Sequence, residues 1–215
     1  GVADLGLLPA EDLESVRVVP GSGGLLYGPG ALGGVLVLRR VSRSDPVRVS
    51  AATGAYGFRR LAGSAALRVA GGELSLGAHR ARAENDFPFA LRIHPDRPIV
   101  RRRNAGVEEF GLRAGWRSVG GRVRASGAWS VADRGVPGPM GTSVFDRARL
   151  EVGRWDGSIQ MQESGWTVTA HAVGFRQVYR DPANPATNGD WASESAGLTA
   201  VRLLSLGAAR GTGLL

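Results

Sequence analysis

A chain of 215 residues can hold one large domain or two small ones. It contains no cysteine, which excludes a disulfide framework, a thiolate metal site and a cysteine nucleophile. The net charge of +8 rests on 27 basic residues, every one an arginine, against 19 acids, and it is unevenly spread. Residues 1–45 carry 4 arginines and 5 acids (4 − 5 = −1), so the remainder carries 23 and 14 (+9). The composition therefore changes near Ser44-Asp45-Pro46. No stretch approaches the roughly 18 to 20 continuous apolar residues of a spanning helix, which leaves open short amphipathic barrel strands.

In chain order, Pro9 to Ser15 reads as one or two helical turns, with Glu11, Asp12 and Glu14 where a helix N-terminus favours negative charge. Val16 to Val19 makes a short strand. A glycine-dense turn follows, and Val35 to Leu38 is a branched apolar run that reads as a second strand. Within the turn, Gly28-Pro29-Gly30-Ala31-Leu32-Gly33 matches the glycine fingerprint of dinucleotide-binding folds. That fingerprint works only when a helix follows it, so that the helix N-terminus meets a pyrophosphate. Here a strand follows at once and no acid occurs in the next ten positions, so a nucleotide site is rejected.

The same residues carry a different likeness. Leu8-Pro9-Ala10-Glu11-Asp12-Leu13-Glu14-Ser15-Val16-Arg17-Val18, then Gly21, Leu26-Tyr27-Gly28, Ala31 and Gly33-Gly34-Val35 resemble the C-terminal part of the plug domain of TonB-dependent outer-membrane receptors. The order is specific: a short acidic helix, a strand, a Leu-Tyr-Gly turn, then Gly-Gly and a strand. Pro20 stands where that family usually has arginine, and Leu38-Arg39 where a polar ending is common. The resemblance implies a small α+β plug seated in a large barrel that gates uptake of a scarce nutrient. It gives Tyr27, Gly28, Gly30, Gly33 and Gly34 a structural and gating role. It implies no cofactor and no enzymatic activity, and it implies a location in the outer membrane. The expected partners are outer-membrane lipid, a TonB-type energy-coupling protein acting through a segment upstream of Gly1, and a small nutrient such as an iron chelate.

Beyond Pro46 the texture changes to period two. Segments Val47–Thr53, Phe58–Ala70, Glu73–Glu84, Val107–Arg117, Arg122–Asp133, Arg147–Trp155, Trp166–Tyr179 and Ser195–Leu204 read as strands. In the fifth, Val123, Ala125, Gly127, Trp129 and Val131 oppose Arg122, Arg124, Ser126, Ala128 and Ser130. In the sixth, Ala148, Leu150 and Val152 oppose Arg149, Glu151 and Gly153. An arginine facing lipid near the bilayer midplane costs about 2 to 4 kcal/mol, so arginine-bearing faces are expected to line a polar lumen. The apolar faces, Leu150 and Val152 included, are then expected to face out.

Connections alternate in length. Ala70-Gly71-Gly72 and Ser118-Val119-Gly120-Gly121 are tight turns, whereas Asn85 to Gly106, Arg134 to Asp146 and Arg180 to Glu194 are long and polar. Asp156 to Gly165 reads as an exceptionally long turn at the short end. Short turns at one end and long loops at the other is the arrangement of outer-membrane barrels. The expected architecture is mainly β. Residues 1–45 are read as the C-terminal part of a plug, and 46–215 as about eight meander strands opening an antiparallel barrel. Eight strands fall short of the roughly 22 of plugged transporters, so a fragment is expected.

Chemistry-bearing patterns are sparse. His79, His94 and His171 lack metal-ligand spacing, and neither a Gly-x-Ser-x-Gly elbow nor a His-Glu-x-x-His motif occurs. Asp181 and Asp190 flank a Pro/Asn-rich loop that reads as a turn-rich connection rather than a calcium site. Asn85-Asp86-Phe87-Pro88-Phe89 is similar to a segment common after an early barrel strand in receptors of this family. Arg101-Arg102-Arg103 is the densest local charge and the candidate entry point for an anionic ligand. A soluble nucleic-acid-binding β-protein is the alternative raised by a pI near 11.3. Against it, the arginines are spread at period two rather than gathered among stacking aromatics, and no nucleic-acid partner is expected.

Overall fold

A computed structural model describes residues 13–21, 33–40, 46–69, 71–91, 95–138, 147–206 and 209–214. The fold is mainly β, and the chain divides into two compact units, residues 1–44 with 200–215, and residues 45–199.

In the first unit, β1 (Leu13–Pro20) and β2 (Gly34–Arg40) form an antiparallel hairpin, with Val16 opposite Leu38 and Pro20 opposite Gly34. Leu13, Glu14 and Ser15, expected to end a helix, belong instead to β1. Their branched neighbours Val16, Val18 and Val19 pair in register with Val35, Leu36 and Leu38, and that ladder overrides a two-turn helix too short to stand alone. The rest of the expected helix, 9–12, lies outside the described residues. A last strand, β13 (Ala209–Leu214), pairs with Val201–Leu206.

The second unit is an antiparallel meander. Its strands are β3 (Val47–Thr53), β4 (Arg59–Val69), β5 (Gly72–Ala83), β8 (Val107–Ser118), β9 (Val123–Gly135), β10 (Arg149–Glu163), β11 (Trp166–Arg180) and, as far as Thr199, β12 (Gly189–Leu206). They lie side by side in that order. The long connection after β5 folds back into a separate hairpin of β6 (Pro88–Ala90) and β7 (Ile99–Arg101).

The expected turn over Asp156–Gly165 is mostly strand. β10 runs on to Glu163, and the turn shrinks to Ser164-Gly165, with φ of 48° and 81°. Two consecutive positive φ values make the primed hairpin turn whose twist suits antiparallel strands, and glycine takes the second position without a Cβ penalty. Likewise β12 starts at Gly189, so the loop expected from Arg180 to Glu194 is short, with a 3-10 turn at Pro185–Thr187. Every described connection at one end is therefore tight, and those at the other end are longer.

The long connections interlock. Tyr56 carbonyl accepts from the amides of Glu84 (3.0 Å) and Asn85 (3.1 Å). Asn104 donates from Nδ2 to the carbonyls of Val136 (3.2 Å) and Ala148 (2.7 Å). Tyr56 and Phe87 meet edge to face at 6.0 Å. The buried residues of the sheet, Ala81, Ala83, Ala132 and Val152 among them, cluster at this end.

Candidate functional site

Directly paired residues in an antiparallel sheet share a face, so the register sorts every side chain. One face receives Leu61, Gly63, Ala65, Leu67 and Val69 from β4; Leu74, Leu76 and Ala78 from β5; Phe110, Leu112, Ala114 and Trp116 from β8. The same face takes Val123, Ala125, Gly127, Trp129 and Val131 from β9, and Gly153, Trp155, Gly157, Ile159 and Met161 from β10. Trp166, Val168, Ala170, Ala172 and Gly174 continue it on β11, and Val47, Val49 and Ala51 on β3. Charge enters this band only at its loop-end edge, where Arg80 stands between Leu61 and Phe110 and Arg176 opposite Gly153.

Nothing covers it. Leu61 is 59% exposed, Leu112 47%, Trp129 44% and Ile159 54%. Exposed apolar patches on water-soluble monomers seldom exceed a few hundred Å². Here the patch runs over seven strands. Large side chains lie flat over glycines on it: a Cβ added to Gly174 would come 2.1 Å from Trp155 Nε1.

The sixth segment needs a correction. Leu150 and Val152 pair with Arg134 and Ala132, and so share the face of Arg124, opposite Val123 and Trp129. They help form the small buried cluster at the loop end, while the apolar band draws on Trp155, Ile159 and Met161.

The other face is polar. It carries Arg48, Arg60, Arg68, Arg113, Arg117, Arg124, Arg134 and Arg154 against Glu73, Glu109 and Asp156. Its groups bond to one another along and across the strands. His79 Nε2 meets Glu109 Oε1 at 2.9 Å, with both side chains 11% exposed. Ser126 and Ser158 hydroxyls lie 2.9 Å apart, and Gln160 Nε2 donates to Thr169 Oγ1 at 3.4 Å. Glycine makes room here too, because a Cβ on Gly111 would fall 2.2 Å from the His79 ring and one on Gly77 2.3 Å from Arg113 Nε.

At the loop end of the apolar face the band gives way to charge. Arg80 Nε donates to Glu108 Oε1 (3.0 Å), Arg149 Nε to Asp133 Oδ1 (3.0 Å) and Arg176 Nε to Asp190 Oδ1 (3.1 Å), each arginine adding a second bond through Nη2. Hydrogen bonds from Arg176 hold the Asp190 carboxyl below the usual carboxylate range, and Asp190 in turn raises Arg176. The sequence reading missed this rim. Its signal was present in β5, where a single parity passes from Leu74, Leu76 and Ala78 to Arg80 and Arg82.

The three loop arginines do not converge. Arg101 Nη1 is bound by the carbonyl and carboxylate of Asp86. Arg102 turns inward, donating to the carbonyls of Pro137 (3.3 Å) and Gly138 (2.7 Å) and lying 5.9 Å from the Phe89 ring centroid. Arg103 is exposed. Asp181 and Asp190 also have separate duties, since Asp181 Oδ1 caps the amide of Ala183 at 2.9 Å. Among the described residues no group of three or more His, Asp or Glu could hold a metal.

Of the glycine-turn residues, Gly34 has φ of 139°, and a Cβ there would sit 2.8 Å from Val19 carbonyl oxygen, so only glycine closes this hairpin. Gly33 lies beside it with open space where a Cβ would stand. Tyr27, Gly28 and Gly30 lie outside the described residues. No protein-family model matches the chain, and no curated protein matches it.

Proposed function

We propose that this chain is part of a TonB-dependent outer-membrane receptor, in which residues 46–215 contribute barrel strands and 1–45 the C-terminal part of the plug. One observation carries the reading: the register collects an apolar band on one face, edged by charge only at the loop end, and arginines on the other. On β9, β10 and β11 the band runs from Val123 to Val131, Gly153 to Met161 and Trp166 to Gly174. Each stretch has the roughly 9 to 11 residues that a tilted barrel strand needs to cross a bilayer.

The apolar face then touches acyl chains and the arginine face lines a watery interior. Trp116 and Trp166 at the turn end, with Trp129 and Trp155 toward the loops, suit the two interfacial girdles. Lipid does not tolerate unpaired sheet edges, so the reading requires further strands to close the sheet. Seen from the lumen, the excess of arginine favours an anionic nutrient, and uptake would be energised through a TonB-type protein.

Cell fractionation of the full-length protein tests this. Recovery in the outer membrane, released only by detergent, supports the proposal. A soluble product whose binding to nucleic acid falls with salt refutes it and favours the alternative weighed above.

A further inference from the structure

The polar face holds, near its tight-turn end, a cation with no acid beside it. Arg124 of β9 stands directly between Arg117 of β8 and Gln160 of β10. Arg117 is met by Glu73 of β5 at 3.6 Å. Arg124 is exposed and makes no hydrogen bond or ion pair among the described residues. The nearest acid on the same side of β10, Asp156, lies beyond Ser158 and contacts Arg154 at 3.6 Å. The groups around Arg124 are neutral and only partly used. Ser126 and Ser158 stand directly opposite each other and share one hydrogen bond of 2.9 Å. Gln160 Nε2 donates to Thr169 Oγ1 at 3.4 Å. A hydroxyl both donates and accepts, and an amide has an oxygen and two N–H groups, so this set keeps donors and acceptors for a ligand.

We propose that Arg124, with Ser126, Ser158 and Gln160 beside it, binds the carboxylate and ring hydroxyls of an acidic saccharide, a uronic acid residue. A guanidinium offers a planar fork that matches a carboxylate in two parallel hydrogen bonds. Ser126 is two residues along β9 from Arg124, roughly 7 Å, or about the span of one pyranose ring. Gln160 is one strand away, roughly 4.8 Å, and falls within the same reach. A bare phosphate would engage the guanidinium and leave the hydroxyls idle. A neutral sugar would do the reverse. A uronic acid engages both, and a site that hydrogen-bonds a ligand's hydroxyls discriminates against an analogue lacking them. The inference rests on the reading of this face as the watery lumen of an uptake channel, and it narrows the anionic nutrient to one chemical class.

Isothermal titration calorimetry of the full-length protein in detergent tests it with three probes: digalacturonate, its uncharged methyl ester and inorganic phosphate. Digalacturonate should bind most tightly, and the ester at least about 10-fold more weakly. Arg124→Gln should weaken digalacturonate about 10- to 100-fold, as expected for losing hydrogen bonds to a charged group. Arg124→Lys should recover only part of that loss, because the charge returns without the fork. Ser126→Ala with Ser158→Ala should weaken digalacturonate about 3- to 10-fold and leave phosphate binding unchanged. Arg149→Gln, at the loop end of the other face and held by Asp133, should change nothing. Arg124 and Ser126 are exposed, so these changes do not endanger folding and loss of binding reads on the ligand. No binding of digalacturonate, or equal binding by wild type and Arg124→Gln, overturns this inference; recovery of the same protein from the outer membrane then spares the transporter reading. An ester that binds as tightly as the acid removes the carboxylate and overturns it too. Phosphate bound as tightly as digalacturonate, with no effect of the serine pair, assigns Arg124 to a bare anion and overturns the saccharide. A protein absent from the outer membrane overturns both readings.

Discussion

Thr169 and Ala170 are neighbours on β11 that point to opposite faces, which makes them a direct test of which side meets lipid. Thr169 pairs with Gln160 on the polar face, and Ala170 with Ile159 in the middle of the apolar band. Ala170→Arg puts a guanidinium midway between Trp166 and Gly174. If that face lies in hydrocarbon, the cost is about 2 to 4 kcal/mol, or roughly 30- to 1,000-fold in the folding equilibrium. Thr169→Arg adds a cation to a face that already carries Arg124 and Arg154, with Asp156 nearby. It should stay within about 0.5 kcal/mol, the range of ordinary surface changes. The assay is reversible urea unfolding of the full-length protein in phosphatidylcholine vesicles, followed by tryptophan fluorescence. Ala170 is exposed, so in a water-soluble sheet arginine there would cost no more than at Thr169. Equal stabilities for the two variants, or a larger loss at Thr169, refute the assignment of faces.

Other consequences follow from single contacts. Gly111→Ala drives a Cβ into the His79 ring and should break the His79–Glu109 pair at a cost of about 1 to 3 kcal/mol; adding His79→Ala should recover part of that loss in the same unfolding assay. Gly34→Ala meets both a left-handed φ and the Val19 carbonyl, so amide exchange in β1 and β2 should rise well above wild type. The Asp190–Arg176 bond stabilises the folded form at neutral pH, because the carboxyl titrates lower there than in the unfolded chain. That contribution should fade as pH falls through the depressed folded value, and Asp190→Asn should flatten this part of an acid-unfolding curve. Arg102→Ala frees two carbonyls of the β9–β10 connection and should speed proteolysis there, whereas Arg103→Glu should leave proteolysis unchanged and lower uptake of an anionic nutrient.

How much was legible in the residues depended on whether the signal was local. Alternation along Val123 to Val131 is a property of consecutive residues, because neighbouring strand side chains point to opposite faces, and it located β9 and its two sides without any partner. Tight turns at Gly71 and Gly120 were readable for the same reason: glycine there accepts positive φ. Where local cues conflicted, the reading failed. Asp156, Gly157 and Ser158 look like a turn, yet all three are strand residues in β10, held by ladders to β9 on one side and β11 on the other.

Arg101, Arg102 and Arg103 stand together in sequence, yet Arg102 is committed to carbonyls of a different loop. Leu150 shows the limit most clearly. Its parity within β10 was evident, but not which face that parity joins, because that depends on the register with β9, and a slip of one residue exchanges the faces. The residues alone determined that these strands would be two-sided, one side greasy and one side rich in arginine. Only the pairing between strands decided that the greasy sides merge into one band, and that Arg59 meets Arg82 at its edge, because adjacency across a sheet is set by hydrogen-bond register between segments far apart in the chain.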